Sequence, residues 1–324
     1  MPTNVLIRLF EPTEPEYEAV GRIGSANYPE EHHYGAHAVR DWDRQLAGSY
    51  IHQRYVVVAL QNRQIVGYAS YCHNPTMFHP QKFEVELQVD PAWQRRGIGT
   101  QLWERLLIDL RSHQAIMIWT EAREDMKHTL SFLEKRGFQE SLRAWESRLY
   151  LDRFDFAPFA SYIERIRSLG IEIATLAEER ERIPDCLSKL YELHTTLGQD
   201  VPRPEPYTPH SFELFLKRLI ETPRSLPEGY FVAKAGDRYI GESLLLRILE
   251  DPTILSQGLT GVLREHRRNG IAMALKLKAI EYATQHGYKV ITTRNASNNA
   301  GMLGVNQKLG FVHQPAWIML AKTL

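Results

Sequence analysis

Cysteine is scarce in this 324-residue sequence, which contains only Cys72 and Cys186. Two cysteines cannot build a disulfide framework, and a structural zinc site usually needs four ligands. We therefore expect neither a disulfide scaffold nor a metal site. Two buried free thiols in a reducing cytosol are the expected state of this pair.

Long apolar runs and an excess of charge of one sign are also missing. The longest apolar runs, such as Tyr55–Leu60, are far shorter than the ~20 residues needed to cross a bilayer. Residues 1–10 show no charged region followed by an apolar block, so no secretory signal is predicted. The 39 basic residues balance the 39 acidic ones, which argues against a basic face for nucleic acid. We predict a cytoplasmic protein that binds neither nucleic acid nor membrane.

The sequence does contain an internal repeat. Gly97 and Gly270 stand in two similar segments, QRRGIG and RRNGIA, while Gly137 and Gly310 each precede a phenylalanine. The offset from Gly97 to Gly270 equals the offset from Gly137 to Gly310, so the segment between the markers has the same length in each copy. Self-similarity at a fixed offset indicates a duplicated structural unit. The chain length also predicts two domains, at roughly 150 residues per domain.

The repeat gives the predicted domain boundaries. We expect one domain over residues 1–151, a connecting helix within 152–169, and a second domain over residues 170–324. The last strand of each copy is expected at residues 138–150 and 311–320, where apolar and β-branched residues follow the Gly-Phe pair. These boundaries make each domain one continuous stretch of chain.

Hydrophobic periodicity predicts the same order of elements in both copies. Residues 83–90 alternate polar and apolar side chains, as a strand does, and residues 99–110 carry leucines at helical spacing. In the second copy, helices are expected to begin at Asp185 and at Ser211, before a hairpin over residues 230–249. The proline-rich run over residues 201–206 is predicted to be a loop.

Each copy places a turn rich in Arg and Gly between a strand and a helix. Glycine lets the backbone approach a ligand closely, and the first turn of a helix offers free N–H groups and a partial positive charge. Together these features suit a pyrophosphate, which neighbouring arginines can bind in bidentate fashion. The spacing differs from the Walker A loop and from the Gly-x-Gly-x-x-Gly turn of dinucleotide folds.

This Arg/Gln-x-x-Gly-x-Gly/Ala pattern resembles the acetyl-coenzyme A signature of the GNAT superfamily of N-acetyltransferases, and the resemblance covers both halves. It implies two α/β domains of the acyl-CoA N-acyltransferase type, each a mixed, mostly antiparallel sheet flanked by helices. It also implies transfer of an acetyl group from acetyl-CoA to a primary amine of a small molecule, by direct attack on the thioester. In the family, pantetheine lies along the strand before the turn like an added strand.

The resemblance implies a set of coenzyme-binding residues in each copy. In the first copy these are Leu87, Gln88, Val89, Gln94, Arg95, Arg96, Gly97, Ile98, Gly99 and Thr100. In the second copy they are Thr260, Gly261, Val262, Arg267, Arg268, Asn269, Gly270, Ile271, Ala272 and Met273, with Asn295 and Asn299 as partners of pantetheine. The family's acceptor site would be lined by Tyr28, His32, His33, Tyr34 and Trp42 in the first copy and by residues 194–207 in the second.

Acetyl transfer to an amine needs a base and gains from an acid. An alkylammonium has a pKa near ~10.4, so a base must take its proton, and the departing thiolate gains from protonation. In the family a Glu on or near the strand is often the base, and a Tyr in the fourth helix is often the acid. The resulting candidates are Glu84 and Glu86 in the first copy and Glu242 in the second. The tyrosine position aligns with Leu133 and with Asn306, and Asn306 is the remaining catalytic candidate.

Three interpretations of the function remain open at this point. The first copy has the better Gly-x-Gly turn and the carboxylates, whereas the second copy has the fuller second half of the signature. We favour an acetyltransferase whose C-terminal copy is catalytic, with coenzyme binding open to both copies. The missing tyrosine in both copies favours a non-catalytic or regulatory protein that binds coenzyme A. The third interpretation is an acetyltransferase for proteins or peptides, which differs from the first only in the shape of the acceptor groove.

Overall fold

A computed structural model of the chain describes residues 4–28, 35–48 and 50–324. The chain forms two compact units: the first comprises Met1–Ser141 and Ile318–Leu324, and the second comprises Leu142–Trp317. His32, His33 and Tyr34, expected to line an acceptor site, lie outside the described residues. Within the described ranges, no helix has both the length and the apolar character needed to cross a membrane.

The first unit is a mixed sheet with helices on its faces. Its strands are β1 (Val5–Leu9), β2 (His52–Ala59), β3 (Ile65–Cys72), β4 (Lys82–Val89), β5 (Met117–Arg123) and β13 (Trp317–Thr323). Its helices are α1 (Glu14–Asn27), α2 (Ala36–Leu46), α3 (Ile98–Ser112) and α4 (Lys127–Glu134). The strands lie in the order β1-β2-β3-β4-β5-β13. Neighbours from β1 to β4 are antiparallel, whereas β4 and β5 are parallel.

The second unit repeats this plan. Its strands are β6 (Gln139–Tyr150), β7 (Ile171–Thr175), β8 (Ser225–Ala235), β9 (Arg238–Ile248), β10 (Asp251–Val262), β11 (Val290–Ala296) and β12 (Val312–His313). Its helices are α5 (Ala160–Ser168), α6 (Leu176–Arg182), α7 (Cys186–Gly198), α8 (Phe212–Phe215), α9 (Ile271–Gln285) and α10 (Ala300–Lys308). The strands lie in the order β6-β11-β10-β9-β8-β7, and β12 pairs with β6. Only β10 and β11 are parallel among these pairs.

Helix α3 shows how the repeat positions its turn. Leu102, Leu106 and Leu110 recur at four-residue steps and are fully buried against the sheet. Burying each such side chain contributes about 1.5–3 kcal/mol, so this face fixes the helix and with it the turn before its first residue. Leu275 of α9 occupies the position equivalent to Leu102 in the repeat, and it is equally buried in the second core.

The expected fold class is confirmed, and several element boundaries differ from expectation. Helix α6 was not predicted, although Thr175 and Glu178 form a capping box at its start. The helix expected from Ser211 is only four residues long before a π-helical turn over Leu216–Ile220. The strand expected at 311–320 is split into β12 and β13, because Pro315 lies between them and cannot donate a ladder hydrogen bond.

The two compact units do not have the same boundaries as the continuous domains predicted at residues 1–151 and 170–324. Strand β6, the last of the first repeat, pairs with β11 from Val290↔Tyr150 to Ala296↔Ala144 and so belongs mainly to the second unit. Strand β13, the last of the second repeat, lies beside β5 in the first unit. Each unit therefore takes one outer strand from the other repeat, which no pattern within a single repeat reveals.

Candidate active sites

The turns after β4 and β10 have the same backbone conformation. Arg95 and Gly97 have φ values of 62° and 81°, and Arg268 and Gly270 have φ values of 65° and 87°. These left-handed conformations turn successive N–H groups toward one side and form an anion-binding concavity. Helices α3 and α9 each begin at the next residue, so their free N–H groups and dipoles point at the same place.

The first residue of each motif, Gln94 or Arg267, uses its side chain for hydrogen bonds that stabilise the turn. Gln94 donates to Asn27 Oδ1 at 2.8 Å and to the carbonyl that ends β4 at 3.0 Å. Arg267 pairs with Asp200 and donates from Nε to the carbonyl that ends β10 at 2.9 Å. Arg267 and Asp200 occupy the repeat positions of Gln94 and Asn27, so the same side-chain contact is present in both copies. A ligand would contact the backbone of these two motif residues rather than their side chains.

The remaining turn residues divide into anchors and exposed groups. Three of these residues are buried, namely Ile98, Ile271 and Met273. Five are exposed, namely Arg95, Arg96, Gly97, Thr100 and Arg268. The others are half-buried, namely Gly99, Asn269, Gly270 and Ala272. Arg96 donates to the Ala92 carbonyl at 3.0 Å. In the described part of the chain, the guanidinium groups of Arg95 and Arg268 form no hydrogen bond, which leaves both for phosphate oxygens.

An opening lies beside each of these strands. The β4–β5 ladder ends at Glu84↔Trp119, although β4 continues to Val89. The β10–β11 ladder ends at Gln257↔Thr293, although β10 continues to Val262. The six strand residues predicted to bind the coenzyme, namely Leu87, Gln88, Val89, Thr260, Gly261 and Val262, lie in these open segments. Backbone groups on such an edge can pair with an extended ligand.

Strand β10 carries an irregularity that β4 lacks. Its register with β9 shifts by one residue between Gln257 and Thr260, so an extra residue lies within Gly258–Leu259. This β-bulge comes directly after the last β10–β11 pair. A bulge leaves a strand N–H without its ladder partner and re-aims the backbone. In the first unit, β3 and β4 keep one register from Gly67 to Cys72.

Glu242 on β9 is the central group of the second site. It is fully buried, and it lies opposite Gly261 in the β9–β10 ladder. The Tyr230 hydroxyl donates to its Oε2 at 2.5 Å, and Nδ1 of His194 lies 2.8 Å from its Oε1. Burial and the neighbouring carboxylate raise the pKa of Tyr230, so this phenol remains a donor. Both carboxylate oxygens are thus occupied by donors from β8 and α7.

Helix α7 brings His194 to this carboxylate. Its residue Leu197 packs on Gly261 of β10. A Cβ built on that glycine would lie only 3.1 Å from the Leu197 side chain. His194 lies one helical turn earlier, and its side chain is 13% exposed whereas that of Glu242 is 0% exposed. With Nδ1 held by Glu242, Nε2 of the imidazole is the nitrogen that can accept a proton. The predicted base Glu242 is therefore shielded from solvent, whereas the side chain of His194 keeps a small exposed surface.

The first unit brings its two predicted carboxylates to one face of β4. Glu86 Oε1 accepts hydrogen bonds from Tyr68 at 2.6 Å and from Tyr28 at 3.2 Å. Glu84 accepts one from Asn74 Nδ2 at 3.1 Å. Burial, followed by the charge of Glu121, raises the pKa of Glu84 to about 7. Glu86 lies within the open part of β4, whereas Glu84 lies where β4 still pairs with β5.

The asparagines expected to bind the coenzyme have partners within the second unit. Asn299 accepts the N–H of Met302 at 3.2 Å and so caps helix α10. Asn295 Oδ1 accepts from Asn306 Nδ2 at 2.7 Å, and Asn306 is only 2% exposed. Asn306 therefore supports β11 in its diverging segment, and a side-chain amide is too weak an acid to protonate a thiolate.

Sequence reasoning did not identify His194 as a reactive group. The residue was predicted only as part of the segment 194–207 expected to line an acceptor site. A usable signal exists, since His194 and Leu197 share one face of α7 and an apolar helix face with one histidine indicates a buried polar partner. That signal identifies no partner, because Glu242 is 48 residues away in the chain.

Comparison with known proteins agrees with the duplicated plan. The sequence model of the Acetyltransferase (GNAT) family matches residues 15–138 and residues 188–311. The two matches begin and end at equivalent positions of the repeat. A stretch of 55 residues is 34% identical to the ribosomal protein bS18-alanine N-acetyltransferase of Salmonella typhimurium. This stretch covers 17% of the chain and 37% of the length of that enzyme.

Solved structures share the fold over the whole chain. A tandem GNAT protein from the clavulanic acid biosynthesis pathway matches with a TM-score of 0.75 and 19% identity, over 98% of each chain. A GCN5-related N-acetyltransferase from Sphaerobacter thermophilus matches with a TM-score of 0.71 and 20% identity, over 100% of this chain and 96% of that one. At these identities the likeness is one of fold. With the two family matches, it leads to one conclusion: the chain belongs to the GNAT family of acetyltransferases and contains two copies of the family's domain.

Proposed function

We propose that this protein is a cytoplasmic, acetyl-CoA-dependent N-acetyltransferase that acts on the primary amine of a small molecule, with catalysis in the second unit. One observation carries the proposal: the buried Glu242 carboxylate orients His194 beside the open strand β10. The first unit offers the same turn and opening, but its strand β4 has no bulge and its candidate Glu86 is held by two tyrosine hydroxyls.

The residues of the second unit fit coenzyme A. The turn N–H groups around Gly270 and the start of α9 suit its diphosphate, and the exposed Arg268 supplies a cation. The open edge of β10 over Gly258–Val262 offers backbone groups to the amides of pantetheine. When bound, the coenzyme supplies the acetyl group as a thioester.

In the proposed mechanism, His194 moves the proton. Glu242 holds Nδ1–H, so Nε2 accepts the proton that the acceptor nitrogen loses. A backbone N–H of the bulge at Gly258–Leu259 is the candidate donor for the carbonyl oxygen as it gains charge. The imidazolium then has a proton to return to the departing thiolate, a role that Asn306 cannot fill.

The experiment measures free thiol released from acetyl-CoA with a panel of small primary amines. His194→Gln is expected to lower kcat by about 10²-fold or more, because it removes the base while keeping a side chain of similar size. Glu86→Gln in the first unit is the matched control and is expected to retain turnover.

The opposite pattern, with turnover lost in Glu86→Gln and kept in His194→Gln, would move catalysis to the first unit. If no amine releases thiol although acetyl-CoA binds in calorimetry, the protein is a coenzyme A-binding protein without turnover. The match to the bS18-alanine N-acetyltransferase makes a peptide or protein acceptor the second candidate. Thiol release with N-terminal alanyl peptides but not with small amines would favour it.

A further inference from the structure

Arg203 lies in the proline-rich loop between α7 and α8 of the second unit. Its Nη1 donates to the carbonyl oxygens of Gly198 and Val201, the latter at 2.9 Å. Its guanidinium carbon lies 4.5 Å from the ring centroid of Tyr207. The residue is half-buried, and no carboxylate in the described part of the chain forms an ion pair with it. Burial accordingly lowers the pKa of the guanidinium.

This loop lies against the end of α7 that carries the histidine. A Cβ built on Gly198 would lie 2.7 Å from the Tyr207 hydroxyl, so the tyrosine packs directly on the last turn of the helix. Burial raises the pKa of Tyr207, the charge of Arg203 lowers it, and the charge of Glu242 raises it. The charges of Arg203 and Glu242 therefore act on Tyr207 in opposite directions.

His210, at the end of the loop, lies close to His194. Its ring centroid lies 6.2 Å from that of His194. The side chain is buried, and its Nδ1 has no hydrogen-bond partner among the described residues. Burial and the charges of Arg218, His194 and Arg203 lower the pKa of His210 to about 3, so the ring is neutral. The neutral His210 ring therefore adds no positive charge beside His194.

We infer that Arg203 binds an anionic group of the acceptor, so that the substrate is a small primary amine that also carries a carboxylate or a phosphate. A half-buried guanidinium without a carboxylate has lost hydration that an anionic ligand would replace. Its Nε and Nη2 groups remain for a bidentate contact, since only Nη1 is used by the backbone carbonyls. The amine would lie toward His194 and Glu242, and the anion toward Arg203.

This inference rests on the proposed function, and the experiment separates the two. Thiol release from acetyl-CoA is compared for β-alanine against propylamine, and for aminoethyl phosphate against ethanolamine, because each pair differs mainly in the anionic group. Wild-type protein should prefer the anionic member in kcat/KM. Arg203→Gln should lower kcat/KM for that member by about 10- to 100-fold, as loss of a charge-assisted hydrogen bond predicts, and change the neutral member less. Arg182→Gln, on the exposed face of α6, is the matched control.

Each outcome supports or overturns the assignment of Arg203 as an anion site. Equal losses for both members in Arg203→Gln would mean that Arg203 only caps helix α7, and would overturn the inference. A preference confined to β-alanine or to aminoethyl phosphate would identify the anion as carboxylate or phosphate. If no amine is acetylated, the proposed function fails, and calorimetry of N-acetyl-β-alanine and of N-acetylated aminoethyl phosphate still tests the site. Binding of either compound to wild-type protein that weakens in Arg203→Gln would support the anion site, and absence of binding of both to wild type would overturn it.

Discussion

A carboxylate with two hydrogen-bond donors lies beside the open strand in each unit, but the two repeats carry it on different strands. Glu86 belongs to β4 and is held by Tyr28 and Tyr68. Glu242 belongs to β9, where it follows the hairpin glycine Gly241 as Tyr68 follows Gly67 in the first repeat. The arrangement persists although Glu242 stands where the first repeat has Tyr68, and although its own tyrosine partner, Tyr230, comes from β8. Aligning the two copies therefore cannot reveal it, and only the folded ladder does.

The raised pKa of Glu84 gives a prediction about stability. Because its pKa in the folded protein is about 7, above the ordinary value, its neutral form stabilises the fold at low pH. This contribution is complete below pH ~4.3 and is lost as the pH rises through about 7. Glu84→Gln keeps a neutral side chain at every pH, so it should be more stable than wild type at pH 8 by about 1–3 kcal/mol. Urea unfolding at pH 5 and pH 8 measures this difference.

The control for this prediction is Glu140→Gln, an exposed residue of β6 in the same protein. It should leave the free energy of unfolding within about 0.5 kcal/mol of wild type at both pH values. Equal effects of Glu84→Gln at pH 5 and pH 8 would contradict the assigned ionisation, whatever their size.

At the scale of elements, the starts of α3 and α9 offer a matched pair of variants. Gly99 and Ala272 occupy equivalent places in the first turns of these helices, beside the N–H groups that face a diphosphate. A carboxylate there favours the helix through its dipole but repels an anionic ligand. Ala272→Asp should therefore keep the fold and weaken acetyl-CoA binding by about 10-fold or more. Calorimetry measures the affinity, and circular dichroism checks the fold.

Gly99→Asp serves as the counterpart in the first unit. If both turns bind the coenzyme, each single variant should remove one binding event and leave the other. If only Ala272→Asp changes binding, the second turn is the functional one. Unchanged affinity in both variants would contradict the assignment of these turns as diphosphate sites.

Sequence periodicity predicted the elements whose signals are local. Helix α3 was predicted from its leucine spacing, and the turns at Gly97 and Gly270 from their glycines, because each signal lies within one segment. The bulge at Gly258–Leu259 could not be predicted, since it depends on how β10 pairs with β9. The same holds for the openings, which arise where two strands distant in sequence stop pairing.

At the scale of the whole molecule, the C-terminal strand gives the last prediction. Ile318 and Leu320 of β13 are 6% and 7% exposed and belong to the core of the first unit. Deleting residues 318–324 removes both side chains, which costs about 3–6 kcal/mol at 1.5–3 kcal/mol each. This is a large share of the roughly 5–15 kcal/mol that stabilises a typical protein. Hydrogen exchange at β5 should become fast in the truncated chain.

Deleting only Thr323 and Leu324 is the control, because Leu324 is 42% exposed and both residues follow the buried part of the strand. Exchange at β5 should then stay slow. Slow exchange at β5 after the longer deletion would contradict the assignment of β13 to the first unit's core. The sequence alone predicted continuous domains, because a repeat reveals that a unit is duplicated but not which sheet receives its last strand.

This exchange of outer strands has a consequence for synthesis on the ribosome. Residues up to Ser141 emerge from the exit tunnel well before the strand that lies beside β5, because that strand follows the second unit in the sequence. During the intervening translation the nascent N-terminal sheet has an unpaired edge, which is an open template for association with other chains. Translation that stops between Ser141 and Ile318 would therefore leave the part of the protein that was made first without its outer strand.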